Sequence, residues 1–144
     1  MSKSKKNTTE IEEGLQKFFN LNFNDKELLF VYNLGAKKFE VGDYEGALAV
    51  FLFLNASKPN TALYLKSAAS CYQNMERYED AFYMYQSTYI VDTKTNYDCL
   101  FYLGFCGIKL GQKDEAKGLL NLFVDNYPDH ELVKKAKLLL NGLK

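Results

Sequence analysis

The side chains able to do covalent or metal chemistry in this 144-residue chain are few: one histidine, His130, and three cysteines, Cys71, Cys99 and Cys106. Nucleophilic catalysis needs a thiol or hydroxyl whose proton passes to an adjacent base. His130 follows Pro128-Asp129 in a turn, no motif ties it to a Cys or Ser, and it reads as a surface histidine near a helix start. The cysteines are odd in number and match no metal-ligand spacing, so they read as buried apolar residues of a protein kept in a reducing compartment. Gly104, Gly107 and Gly111 fall inside a helix and its turn, where they pack or cap rather than cradle phosphate. The sequence therefore predicts no enzyme, no cofactor and no metal.

What remains is the chemistry of recognition. Eleven Tyr and eleven Phe make the chain 15% aromatic, enough that some rings are expected on a binding surface rather than in the core alone. Eighteen basic side chains balance eighteen acidic ones, so no overall field draws the chain to nucleic acid. No stretch approaches the roughly 18 uninterrupted apolar residues of a membrane span, which argues against direct membrane insertion. The polar start Met1-Ser2-Lys3-Ser4-Lys5-Lys6-Asn7 has no apolar core of a signal peptide, and a cytoplasmic location is expected.

Those rings must be positioned by something, and the chain carries a regular beat. Ala47, Ala81 and Ala116 are each followed four residues later by a bulky residue: Phe51, Tyr85 and Leu120. The steps are 34 and 35 residues. Around them recur Leu34-Gly35, Gly42-Asp43-Tyr44 and Pro59 in the first copy, and Leu103-Gly104, Gly111 and Pro128 in the third. This is the tetratricopeptide period, in which each unit is a pair of helices whose apolar face is buried by stacking the next pair. The small residue lets the second helix approach the first, and the bulky one a turn later fills the space between.

The predicted fold is all-α: three tetratricopeptide repeats in a right-handed superhelix, with an N-terminal helix and a C-terminal capping helix. Residues 1–27 hold a disordered tail over 1–8 and an amphipathic helix announced by Thr9 and Glu12 and striped by Ile11, Leu15, Phe18, Phe19 and Leu21. Asn24 or Asp25 caps the next helix. The repeats span about 28–61, 62–95 and 97–128. The second is degenerate, with Glu76 where the others have Gly and Thr93 where they have Pro, and the third comes after a one-residue insertion near Asn96. Over 129–144, Leu132, Val133, Ala136, Leu139 and Leu140 form one stripe opposite Lys134, Lys135 and Lys137, a helix that covers the last repeat and shows water its charged side.

The first helix of each unit lines the concave wall of such an array, so the period works as a ruler for groove positions. It selects Leu29, Tyr32, Ala36 and Phe39 from the first repeat, Leu63, Lys66, Ser70 and Gln73 from the second, and Phe101, Phe105 and Ile108 from the third. The wall is apolar at both ends and polar in the middle. Repeats that grip acidic C-terminal tails place Lys, Asn and Arg there to clamp a carboxylate; the corresponding sites hold Tyr32, Ala36, Ser67, Asp98 and Tyr102. The clamp is missing, and an extended apolar segment is the expected ligand. The N-terminal stripe, Ile11, Leu15, Phe18 and Phe19, either folds over the first repeat or forms a homodimer contact.

The run from Tyr32 to Ala47 continuing into Phe51-Leu52-Phe53-Leu54, with Cys71-Tyr72-Gln73 leading to Tyr78-Glu79-Asp80-Ala81 and Leu110-Gly111 leading to Glu115-Ala116, resembles the class II chaperones of bacterial type III secretion. The resemblance covers about residues 10–140. It implies a bacterial cytoplasmic, ATP-independent chaperone that holds a hydrophobic secretion substrate, a translocator or membrane-associated effector, before export. In that family the groove takes an extended client segment and the N-terminal helix often mediates dimers. Tyr32, Ala36 and Phe39 match groove positions of the first repeat and Tyr64 an aromatic of the second; Ala36 departs from a larger ring, and Ser67 stands where Gly is common. The alternative is a tetratricopeptide adaptor that scaffolds a complex through its convex face or termini.

Overall fold

The computed structural model describes residues 22–144 together with Glu10, Ile11 and Glu13. Glu10, Ile11 and Glu13 are helical and exposed, whereas the tail over 1–8 and Leu15, Phe18 and Phe19 lie outside the described residues. From Asp25 onward the chain is helical hairpins in series: α1 (Asp25–Glu40) with α2 (Tyr44–Ser57), α3 (Ala62–Asn74) with α4 (Tyr78–Val91), α5 (Cys99–Lys109) with α6 (Lys113–Asn126), and a closing α7 (Val133–Gly142). Packing is dominated by chain neighbours, each helix lying against the one before and the one after.

The helix ends are set by a few side chains. Asn24 settles the first cap: its Oδ1 accepts from the Glu27 N–H at 2.9 Å while its Nδ2 donates to Glu27 Oε1 at 2.5 Å. Asp43 caps α2 by accepting from the Gly46 N–H at 2.9 Å. The three turns inside the hairpins are built alike. The N–H groups of Asp43, Arg77 and Gln112 reach back to the carbonyls of Lys38, Tyr72 and Gly107 at 2.8–2.9 Å, closing each first helix with a left-handed residue. Gly42 and Gly111 supply that residue at φ +83° and +77°. In the second repeat the same work falls to Glu76 at φ +59°.

Hairpin closeness rests on a second set of small residues on the first helices. A Cβ added at Gly35 would lie 2.8 Å from Phe51 Cε1, and one at Gly104 would lie 2.6 Å from Leu120 Cγ. Ala69 stands at the matching place opposite Tyr85 and is fully buried, as are Ala47, Ala81 and Ala116. The beat is thus reciprocal: small residues on both helices admit one bulky side chain between them. Two clusters make the core. One runs from Leu28 through Phe51, Leu54, Ala68 and Tyr85 to Cys106, and the other joins Leu100, Leu120 and Phe123 to Val133 and Ala136 of α7. Tyr89, Tyr102 and Leu119 pack on both and make them continuous.

The degenerate repeat keeps its place by local hydrogen bonds. Thr88 is buried where the other copies have Leu54 and Phe123, and its hydroxyl donates to the Met84 carbonyl at 2.8 Å. After α4 the inserted residue is absorbed in a bend in which Asn96 Nδ2 donates to the Asp92 carbonyl at 3.1 Å, so α5 begins at Cys99.

Candidate functional site: the first-helix face

The helices α1, α3 and α5 lie side by side. Tyr32 of α1 meets Tyr64 of α3 with ring centroids 6.3 Å apart, and Lys66 of α3 bonds Asp98 at the start of α5 through both carboxylate oxygens, at 2.9 and 2.8 Å. On this face Tyr32, Ala36 and Phe39 from α1 and Ser67 and Ser70 from α3 line a depression of about 230 Å³, with Phe51 of α2 at its floor and Glu40 at its edge. Five residues selected from the sequence are brought together here. A second depression, about 210 Å³, is formed by Phe101 and Phe105 of α5 with Lys135, Leu138 and Leu139 of α7.

The other selected residues divide. Leu29 and Leu63 are exposed, at 59% and 50%, on α1 and α3. Phe105 and Ile108 are half-buried. Tyr64, expected on the wall, is 7% exposed and belongs to the core, because its ring is covered by Tyr32 and the hairpin beneath. Phe101, also expected on the wall, is 6% exposed and packs at 6.1 Å on Phe123, so it offers the second depression only an edge. Lys66 is no free cation, being held by Asp98 with side chains only 29% and 20% exposed. Gln73 accepts from the Tyr85 hydroxyl at 2.6 Å, and Ser70 lies 3.4 Å from that same hydroxyl. The polar middle of the wall is therefore a set of mutually satisfied groups that lock α3 to α4 and α5.

Phe51, Glu40 and Leu138 escape the sequence ruler. The period places Phe51 between the helices, and it does lie 2% exposed there. Its ring is tilted 5.5 Å from Tyr32, and that leaves one edge at the bottom of the depression. Leu138 is 70% exposed and off the core stripe of α7. An apolar residue among Lys134, Lys135 and Lys137 is the signal that could have marked it.

Burial raises the phenols of Tyr64, Tyr85 and Tyr102; for Tyr64 Asp25 and Tyr32 add to the rise, and for Tyr102 the Asp98 charge does. Burial pushes the Cys71 thiol up to about 11 and those of Cys99 and Cys106 up to about 12. Rings, methyls and neutral hydroxyls equip the depression to hold an apolar side chain. His130 is half-buried at the turn before α7. Its Nδ1 accepts from the Leu132 N–H at 3.0 Å, and its ring stands edge-on to Phe123 and Tyr97 at 5.2 and 5.7 Å, where it closes the turn before α7. Among the described residues no group of three His, Cys, Asp or Glu side chains is placed to hold a metal, and no helix is long and apolar enough to cross a membrane.

Known proteins share this architecture. A tetratricopeptide repeat family model matches residues 98–130, the third hairpin. No curated protein sequence matches the chain significantly. Among solved structures, the chain is similar to the Yersinia enterocolitica type III secretion chaperone SycD in complex with a peptide of the translocator YopD, at a TM-score of 0.79 and 23% identity over 86% of this chain and 96% of that one. It is similar to PcrH in complex with the chaperone binding region of PopD, at a TM-score of 0.76 and 23% identity over 85% and 94%. It is also similar to the first tetratricopeptide domain of Spaghetti (RPAP3) bound to an HSP90 peptide, at a TM-score of 0.73 and 16% identity over 86% and 95%. The identities make this a likeness of fold. Hairpins in series, the repeated left-handed turn and these superpositions establish that the chain has the all-α tetratricopeptide fold.

Proposed function

We propose that the protein is a bacterial type III secretion chaperone that acts in the cytoplasm, binding rather than transforming its client, a hydrophobic translocator or membrane-associated effector that it keeps soluble before export. The observation that carries this reading is the depression lined by Tyr32, Ala36, Phe39 and Phe51: an open apolar pocket on the first-helix face, beside hydroxyls already satisfied by the protein itself. Such a pocket accepts one apolar side chain of an extended segment, and the edge of Phe105 with Leu138 and Leu139 accepts another. Between them the Lys66–Asp98 pair presents a neutral, polar stretch over which backbone can pass. The likeness to SycD and PcrH bound to translocator segments supports this reading. The likeness to the HSP90-peptide domain does not extend to its ligand, since Lys66 is occupied by Asp98 and, among the described residues, no clamp of free cations faces the groove.

The test is to fill the pocket without hollowing the core. Ala36→Trp, tagged and expressed in the native cell, should lose a co-purifying export substrate, with affinity for that substrate reduced about tenfold or more. Tyr83→Ser, which changes a residue 67% exposed on α4, should retain it. Loss of the partner by the Tyr83 variant and retention by the Ala36 variant would establish the adaptor reading instead.

A further inference from the structure

The two depressions carry charges of opposite sign that the fold itself does not use. Glu40, exposed at the edge of the first, is the last residue of α1. Lys135, exposed and lining the second, stands in the first turn of α7. Each is at the wrong end of its helix, since a helix is partially negative at its C-terminus and partially positive at its N-terminus. Nor is either paired. The ion pairs among the described residues are Lys38–Asp43, Lys58–Asp25, Lys66–Asp98 and Arg77–Asp80, so Lys37, one turn before Glu40, and Glu131, one turn before Lys135, stay beyond that reach. A charge that helps neither its helix nor a neighbour breaks a local rule, and broken local rules concentrate at functional places.

Between the two, Lys66 and Asp98 cancel each other. Across α1, the middle and α7 the face thus reads acid, neutral, base. Lys135 is a single cation on the closing helix and not part of a clamp for a terminal carboxylate, so what matches it is an acidic side chain within a segment. What matches Glu40 is a Lys or Arg, whose apolar stem can lie along the Phe39 ring while its head reaches the carboxylate.

We infer that the segment held on this face is asymmetric in charge: it carries a basic side chain beside the apolar one in the first depression and an acidic side chain beside the one in the second, and this polarity decides which end of the segment lies on which hairpin. The inference rests on the groove reading above and adds to it the sign and direction of the ligand. Exposed charge pairs contribute little to affinity, but a reversed segment would meet like charges at both ends, so the pair governs orientation more than strength.

The probe is a synthetic peptide, acetylated and amidated so that its termini carry no charge, with a palindromic apolar core, a Lys at one end, a Glu at the other and a nitroxide beside the Lys. In solution NMR of the full chain at low salt, the nitroxide should broaden the amide signals around Glu40 and spare those around Lys135. In Glu40→Lys combined with Lys135→Glu the broadening should move to α7, while thermal unfolding becomes no easier, because each new charge stands at the helix end that favours it. Either single substitution should lower affinity about threefold, a difference erased at about 1 M salt. Binding with broadening that the double substitution does not move would overturn this inference and leave the groove reading intact. No binding, either by this peptide or by a counterpart with uncharged ends, would overturn both.

Discussion

A single dihedral separates the degenerate repeat from its neighbours. Glu76 occupies the left-handed position that Gly42 and Gly111 fill elsewhere, and an L side chain there is disfavoured by roughly 1–2 kcal/mol, partly offset by the extra chain entropy a glycine loses on folding. Glu76→Gly should therefore raise stability by about 1 kcal/mol, seen as a higher urea midpoint with an unchanged slope; a lower midpoint would show that the Glu side chain contributes more than its backbone costs. The sequence exposed this position by breaking its own pattern, but the carbonyl accepting at the turn, that of Tyr72, was needed to see that the glycine's role persists without the glycine. The cysteines make a second prediction at this scale. Their thiols are raised by burial from 9 to about 11 and 12, so the folded state disfavours the thiolate that the unfolded chain would form. The stabilising difference is full below about pH 9 and is lost progressively as pH rises from 9 toward 12. Thiol labelling at pH 8 should accordingly track global unfolding, and rapid labelling of folded protein would contradict the burial of all three.

Between elements, the contacts that matter are those the period could not spell. It located the hairpins and five residues that line one depression, because helix packing repeats with the chain; it could not tell a ring at the surface from a ring beneath it. Tyr64 and Phe101 sit at wall positions yet are roofed by Tyr32 and by Tyr102 and Phe123, a matter of which neighbour is large. Likewise Lys66 reads from sequence as a free cation, whereas Asp98, thirty-two residues on, neutralises it. That pair joins consecutive hairpins, and the stacked rings of Tyr85 and Tyr102, 5.0 Å apart and 12° from parallel, join them on the inner side. Asp98→Ala should cost about 1–2 kcal/mol by leaving a partly buried ammonium unpaired, and Lys66→Met in that background should recover part of the loss. If the two single variants simply add, the tie carries no coupling. Hairpin closeness is steeper: Gly104→Ala drives a methyl toward Leu120 and should cost about 1–3 kcal/mol in thermal unfolding, since the leucine is fully enclosed.

At the scale of the whole molecule, each hairpin touches chiefly its neighbours, so overall shape is the accumulated result of small rotations between successive pairs. The sequence could give the number of pairs, because that is periodic information, but not the rotations, because these depend on unlike residues meeting across each junction. The junction between the second and third hairpins is held by Lys66–Asp98 near the surface and by Tyr85–Tyr102 beneath it, and it lies between the two apolar depressions. On the proposed reading it would act as a caliper: the angle it holds would set the gap between the two depressions, and with it how many residues a bound segment would need between two seated side chains. Selection among ligands would then be made by length as much as by composition, and one ion pair would be the set-screw of the gauge.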